Sequence, residues 1–419
     1  MQRFHTFRDR LALITVFGAL IRIGLLIHRW NRGLKLNDSL WYAAAARGLR
    51  HGEFFHALLD HRPTAEHPPL TPILMAPLSF LPDPVQGQRL TTTLFGIAAV
   101  ALIGILARKL FGDRVGLIAA IVAAVYPNLF VHDGLVMSES IAVVLVAVWM
   151  LALIRLLDGP TLGRAALVGL AAGLAALTRS ELLLFCVASI IATLWHQRTR
   201  ATWLRAIVIG ATTLATILPW TIANLGRFER PVFLSTNDGT TLLGSYCDLG
   251  FNGENKGGWS LLCVMDDQGT DDASVRSARQ RRQAMVYAYH HKRQLPGVML
   301  ARFGRLIDVY GVRDMVQGDF GEDQERPLAW AGVASWFVLA PLAAFGVAGA
   351  RRRTIGILMT PVVIVLITTF VFYGSHRLRV PMEPSVVIFA AVTVSRLLSR
   401  RWPADEASGD AAGPELPTP

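Results

Sequence analysis

Ser138-Glu139-Ser140, followed by the run IAVVLVAVWMLALIRLL from Ile141 to Leu157, decides what kind of chain this is. A helix that crosses the hydrocarbon core of a bilayer needs about 20 mainly apolar residues. This run is apolar on every face up to Arg155, as a lipid-immersed helix is and an amphipathic surface helix is not. An acid stands at its mouth, where an apolar residue would be the cheaper choice. Working outward, nine further runs have the same character: Leu11 to Ile27, Leu90 to Leu106, Val115 to Val131, Ala165 to Leu177, Leu182 to Trp195, Ala206 to Ala223, Ala329 to Ala348, Ile355 to Phe372 and Val386 to Leu398. The chain therefore reads as an all-α polytopic membrane protein with about ten transmembrane helices.

Composition agrees. Of the 419 residues 53% are hydrophobic and 17% charged, with a mean hydropathy of +0.42. Soluble domains carry roughly a quarter charged residues, and disordered chains fewer apolar ones. The net charge of +11 would suit nucleic acid only if the cations gathered on a water-facing surface. Along the chain they fall instead in alternate short loops. Arg3, Arg8 and Arg10 precede the first span, and Arg108, Lys109, Arg114, Arg155, Arg164, Arg198, Arg200, Arg205, Arg351 to Arg353, Arg396, Arg400 and Arg401 follow on the same side. Short cytoplasmic loops carry the positive excess, so both termini are expected in the cytoplasm. No nucleic-acid partner is expected. The first run is longer than a signal-peptide core, is interrupted by Arg22 and lacks a small-residue cleavage site, so it is kept as a span.

The expected organisation is an N-terminal transmembrane module, 1–223, with a first outer loop at 28–88. An extracytoplasmic loop domain follows at 224–328, then C-terminal transmembrane helices at 329–402 and a disordered cytoplasmic tail at 403–419. In the first outer loop Leu40 to Leu49 reads as a helix, and His67-Pro68-Pro69 opens an apolar run to Leu81 that is too short to span and suits an interfacial helix. In the second, Pro231 to Thr241 reads as a short strand followed by a turn. Of three cysteines, Cys186 lies within a span, while Cys247 and Cys263 share the large outer loop and either close a disulfide or stay as thiols. No phosphate-binding glycine loop, dinucleotide fingerprint or nucleophile elbow is present.

Ionisable groups at the outer ends of spans are the candidates for chemistry. Asp38 is either a helix N-cap or a carboxylate held at the membrane surface as a general base. Glu139 is either favoured by the helix dipole or is a second carboxylate at the depth of Asp38. The pair could serve acid-base work or a divalent cation beside a phosphate. Arg179 and Glu181 form a tight outer hairpin and could simply neutralise each other. His376, Arg377 and Arg379 make a cationic cluster on the side where the charge rule expects few cations, suited to lipid headgroups or to a guanidinium site for one lipid phosphate.

Together these stretches resemble the GT-C membrane glycosyltransferases, specifically the bacterial branch similar to family 39, the dolichyl-phosphate-mannose protein mannosyltransferase and ArnT-like group. The resemblance rests on Asp38, Tyr42 and Ala46; on His67-Pro68-Pro69; on Glu139 and Arg179; on Pro219, Trp220 and Asn224 followed by Ser235 to Gly239; and on Arg377 to Pro381. It implies transfer of a sugar from a polyprenyl-phosphate donor to a glycan, lipid or protein acceptor outside the cytoplasm, usually with inversion. Asp38 would be the base and Glu139 would orient the acceptor or share a metal with Asp38. Arg377, Arg379, His376 and Arg179 would hold the donor phosphate, and Tyr42, His67 and Asn237 would position substrate. Some members use a divalent cation and some do not; Asn37 and Ser39, where relatives pair acids, weaken a metal assignment. The implied location is a bacterial plasma membrane, in contact with its lipids, and an arginine-over-lysine, alanine-rich composition suits a GC-rich bacterial genome. A transporter or flippase for a lipid-linked saccharide is the alternative from another class, and a catalytically inert scaffold of the same fold is a third.

Overall fold

In a computed structural model the chain is described over residues 6–35, 38–57, 62–195, 198–265, 267 and 271–401. The tail expected to be disordered and Asn37 lie outside the described residues. All ten apolar runs form helices, and among the described residues the only extended pairing is one bridge between His56 and Pro63. Among the described residues seven helices are long and apolar enough to cross a membrane: Phe7–Arg29, Pro84–Phe111, Glu139–Asp158, Arg200–Leu225, Arg326–Val347, Arg352–Val371 and the segment His376–Ser399. The other three expected spans are shorter. Leu162–Ala176 has 15 residues, and Ser180–Leu183 leads by one 3-10 turn into the 12-residue Leu184–Trp195. Asp113–Val125 stops at 13 because Pro127 forces Tyr126 out of helical backbone, at φ −76° and ψ 114°, before a further turn resumes at Pro127–Phe130. At about 1.5 Å per residue these three fall short of a bilayer by themselves.

The Glu139–Asp158 helix is the axis of the bundle, buried on nearly every face, with Pro84–Phe111 and Leu162–Ala176 packed along it. Leu162–Ala176 also runs against Arg200–Leu225, where Gly169 and Gly173 face the partner backbone. A Cβ at Gly169 would sit 2.5 Å from the Ile209 carbonyl oxygen, and one at Gly173 2.6 Å from Thr216 Cβ. Small residues four apart are what let two helices approach this closely in lipid. Arg22, which interrupts the first span, is buried. Its Nε lies 2.7 Å from Asp133 Oδ2, and its other nitrogens donate to the carbonyls of Gly18, Ala123 and Ala124. Asp133 in turn accepts from Ser140 at 2.5 Å, so this pair fixes the N-terminal end of the axial helix.

The segment after the first span holds the helix Asp38–Arg50, then Leu70–Met75 and the 3-10 turn Ala76–Phe80, so the short apolar run to Leu81 is helical. The segment 224–328 is helical rather than a polar loop, with Asn237–Ser245, Ala273–His290, Leu295–Leu306 and Val312–Gly321 as its longer elements. The strand expected at Pro231 to Thr241 does not form. Side chains take up its carbonyls instead: Trp220 Nε1 donates to Leu234 at 2.8 Å and Thr221 Oγ1 to Phe233 at 3.0 Å, leaving no ladder to build. Asn237 then opens a helix.

Cys247 and Cys263 are joined by a disulfide, with 16 residues of sequence separation, while Cys186 is a free thiol. Closing a loop of this size contributes about 3 kcal/mol. Non-reducing peptide mapping is expected to recover Cys247 and Cys263 in one linked pair; both alkylated without reductant would refute it.

Candidate functional site

Five segments far apart in sequence meet at the N-terminal end of the axial helix around a cavity of about 340 Å³. The first outer loop contributes Asp38, Tyr42 and His67, and Ser138 precedes the axial helix. Thr178 to Glu181 form the hairpin after the Leu162–Ala176 helix, Ser235, Asn237 and Asp238 come from the large outer segment, and Tyr373 and Arg377 from the last connection. The backbone reasons are local. Pro68 and Pro69 fix φ ahead of the helix that opens at Leu70, with Pro69 already in helical backbone, and Leu70 N donates to the Leu177 carbonyl at 2.9 Å and locks the loop to the hairpin. The Thr236 N donates to the Ala65 carbonyl at 2.8 Å and draws the large outer segment onto the same loop.

Arg377 stands at the centre. Its Nη2 is 3.1 Å from Asp38 Oδ2, its Nε 2.7 Å from Glu139 Oε1 and its Nη1 3.1 Å from Glu322 Oε1. One planar fork thus faces three carboxylates, a geometry that guanidinium permits and ammonium does not. Arg179 supplies the second cation, with Nη1 3.4 Å from Glu139 Oε1 and Nε 2.7 Å from Glu181. Glu139 is 0% exposed, and its Oε2 is buried with no hydrogen-bond partner.

His67 Nε2 lies 3.4 Å from Asp38 Oδ1, and its ring stacks on Tyr42 at 4.9 Å between centroids. Burial alone would raise the Asp38 pKa, but the His67 and Arg377 charges beside it outweigh that and hold its carboxyl well below the usual carboxylate range. Burial works against a charged His67 ring, yet the Asp38 carboxylate, helped by Glu66, raises it above an ordinary histidine. Asp38 and His67 therefore form an oriented ion pair. Glu322 differs: burial, reinforced by the carboxylates of Asp38, Glu139 and Asp319, pushes it up to about 7 despite Arg377.

Two residues of the expected phosphate cluster lie elsewhere. Arg379 is 1% exposed and points away from the cavity, with Nη1 2.6 Å from Asp308 Oδ2, Nε 3.5 Å from Glu383 and its guanidinium over the Trp336 ring. His376 is clamped between Asp308 at 2.8 Å and Asp319 at 2.5 Å. Both are already matched with carboxylates, so they brace the connection that presents Arg377. The 3-10 turn His376–Met382 separates these neighbours onto different faces. Arg377 bridges Asp38 and Glu139, its guanidinium lying between their oxygens. Among the described residues no group of three His, Cys, Asp or Glu side chains is arranged to hold a metal ion. The donor set fits a guanidinium, not a divalent cation.

Glu322, Tyr373 and Asp238 were not anticipated at the cavity. Glu322 lies seven residues before the apolar run at Ala329, whereas Glu139 lies two before Ile141, so its place gave a weaker signal.

Residues 66–223 match the family described as dolichyl-phosphate-mannose-protein mannosyltransferase. No curated protein matches the chain. Among solved structures, the apo oligosaccharyltransferase of Archaeoglobus fulgidus aligns at 14% identity and TM-score 0.54, over 93% of this chain and 51% of its own. The same enzyme tethered to an acceptor peptide with an NVT sequon aligns at 14% identity and TM-score 0.56, over 93% and 50%. ArnT from Cupriavidus metallidurans bound to undecaprenyl phosphate aligns at 15% identity and TM-score 0.38, over 91% and 78%. The chain thus spans about half the length of the archaeal enzyme, with which it shares the GT-C fold.

Proposed function

We propose that this protein is an integral membrane glycosyltransferase that moves a sugar from a polyprenyl-phosphate donor to an acceptor hydroxyl at the extracytoplasmic face of a bacterial plasma membrane, both termini being cytoplasmic. The observation that carries this reading is the convergence of Asp38, Arg179 and Arg377 from three distant loops on one cavity at the outer end of the bundle. A lipid phosphate enters laterally at that depth, and a cavity lined by two arginines is fitted to receive it. The partial family match and the GT-C fold support the same class.

In the reaction, the acceptor oxygen attacks the anomeric carbon as the bond from that carbon to the phosphate oxygen breaks, with inversion. Asp38 takes the acceptor proton. The departing phosphate keeps the electron pair and is held by Arg377 and Arg179, while Glu139 fixes both guanidinium planes from below. Tyr42, His67 and Asn237 line the route by which acceptor and sugar are positioned. A carboxylate as strongly stabilised as Asp38 is a weak base, and the donor corrects this. Phosphate that draws Arg377 away removes one of the two charges depressing Asp38, so its basicity rises once donor is bound.

Mass spectrometry of lipid carried through purification from the native membrane tests the class. A polyprenyl-phosphate sugar that is consumed on adding acceptor is expected. Lipid-linked saccharide crossing reconstituted bilayers with no transfer would make the protein a transporter instead.

The carboxylate of Glu322 occupies one face of Arg377 and competes with the donor phosphate for it. Because that group titrates near 7, it is neutral below and anionic above. The donor KM should therefore rise by about tenfold between pH 6 and pH 8, and Glu322→Gln should flatten that rise with little change in kcat. A wild-type donor KM independent of pH would remove Glu322 from this role.

A further inference from the structure

A second cationic cleft, of about 460 Å³, opens at the outer end of the bundle on the other side of the connection between Val312–Gly321 and Arg326–Val347. Arg29, Arg32, Lys35, Arg89 and Arg326 line it, against Asp323 and Glu325. The connection separates the two sites: Glu322 faces Arg377 in the catalytic cavity, whereas Glu325 faces Arg29 and Arg32 here.

The cations outnumber what the carboxylates can neutralise. Glu325 serves Arg29, Arg32 at 2.8 Å and, at 3.9 Å, His28. Among the described residues no carboxylate lies within ion-pair distance of Lys35, Arg89 or Arg326. The Lys35 ammonium sits 3.4 Å above the Phe320 ring, and Arg326 Nη2 donates to Gln317 Oε1 at 2.6 Å. Arg89 is only 2% exposed. Its Nη1 donates to the Arg29 carbonyl, and its Nε is buried with no partner at all. A desolvated guanidinium with an unused donor costs stability unless an anion arrives.

The depth says which anion. Arg29 ends the first spanning helix, Arg89 lies in the second turn of Pro84–Phe111 and Arg326 is the first residue of Arg326–Val347. Three spans therefore bring their arginines to the level where phospholipid headgroups lie, and guanidinium groups bind phosphate oxygens in pairs. We propose that this cleft is a specific site for the headgroup phosphate of an anionic phospholipid, separate from the donor site.

The full chain in nanodiscs of phosphatidylglycerol or phosphatidylcholine, examined by native mass spectrometry after transfer to detergent, tests this. Retained phosphatidylglycerol in preference to phosphatidylcholine is expected. The double variant Lys35→Gln/Arg326→Gln, which leaves the buried Arg29 and Arg89 in place, should weaken that retention by about tenfold, one such ratio being roughly 1.4 kcal/mol. Arg351→Gln/Arg352→Gln, at the opposite end, should retain lipid as the wild type does. Inorganic phosphate that displaces the retained lipid supports the phosphate chemistry. Phosphate bound without any preference for phosphatidylglycerol overturns the lipid assignment. Equal retention by the Lys35/Arg326 variant and the wild type overturns the site itself, and neither result bears on sugar transfer.

Discussion

Asp38→Asn is expected to lower sugar transfer by about a thousandfold, within the range that a positioned general base contributes, while the protein stays folded with a lowered melting temperature, because the depressed Asp38 pKa is itself a contribution to stability. The two halves of this expectation come from different features of the same side chain. Asparagine keeps the shape and one acceptor oxygen, so contact with Arg377 can persist. It has no basic oxygen for the acceptor proton. The Asp38 side chain is 32% exposed at the cavity wall, so losing its charge does not bury an unpaired group. His67 loses the anion that raises its pKa, and its ring should titrate lower in the variant. An NMR titration of His67 thus reports independently whether the ion pair exists. Near-normal turnover by Asp38→Asn would move the base elsewhere. His67, stacked on Tyr42 at the same wall, would be the next residue to change.

The helices were legible because lipid imposes a coarse rule: a long apolar run has few alternatives to a helix. The same rule made Asp38, Glu139 and Arg179 visible, since a charge at the mouth of a span is expensive without a purpose. What the rule lacks is direction. His376, Arg377 and Arg379 look equivalent in sequence, yet only Arg377 turns to the cavity. Their partners Asp308 and Asp319 lie in a segment with no membrane periodicity to place it. For the same reason the Pro231 to Thr241 stretch misled. Its β-type composition is real, but the tryptophan and threonine that satisfy its backbone belong to the preceding helix. The three short helices show the rule's other weakness. Apolar composition says that a segment avoids water, whereas Pro127 and the turns flanking Leu162–Ala176 decide how far it reaches.

Arg377→Ala is expected to abolish donor binding and to destabilise the protein by about 3–5 kcal/mol, the usual result of removing one member from a buried ionic cluster. Three carboxylates that shared one cation would then face one another, and of these three the remaining Arg179 reaches only Glu139. The loss carries a pH signature. Glu322 already titrates at about 7 against an ordinary 4.5, so even in the wild type its contribution to stability is full below 4.5 and lost as pH rises through 7. Without Arg377 its pKa rises further and the penalty at pH 8 grows, so the variant should unfold more readily at pH 8 than at pH 6, and by a wider margin than the wild type. Arg377→Lys separates charge from geometry. A point ammonium should recover part of the stability but cannot face three carboxylates in one plane. Its donor KM should stay well above that of the wild type. Adding Glu322→Gln to Arg377→Ala removes one of the stranded charges and should restore stability at pH 8 more than at pH 6. Equal destabilisation of Arg377→Ala at both pH values would mean that these carboxylates are not held by Arg377.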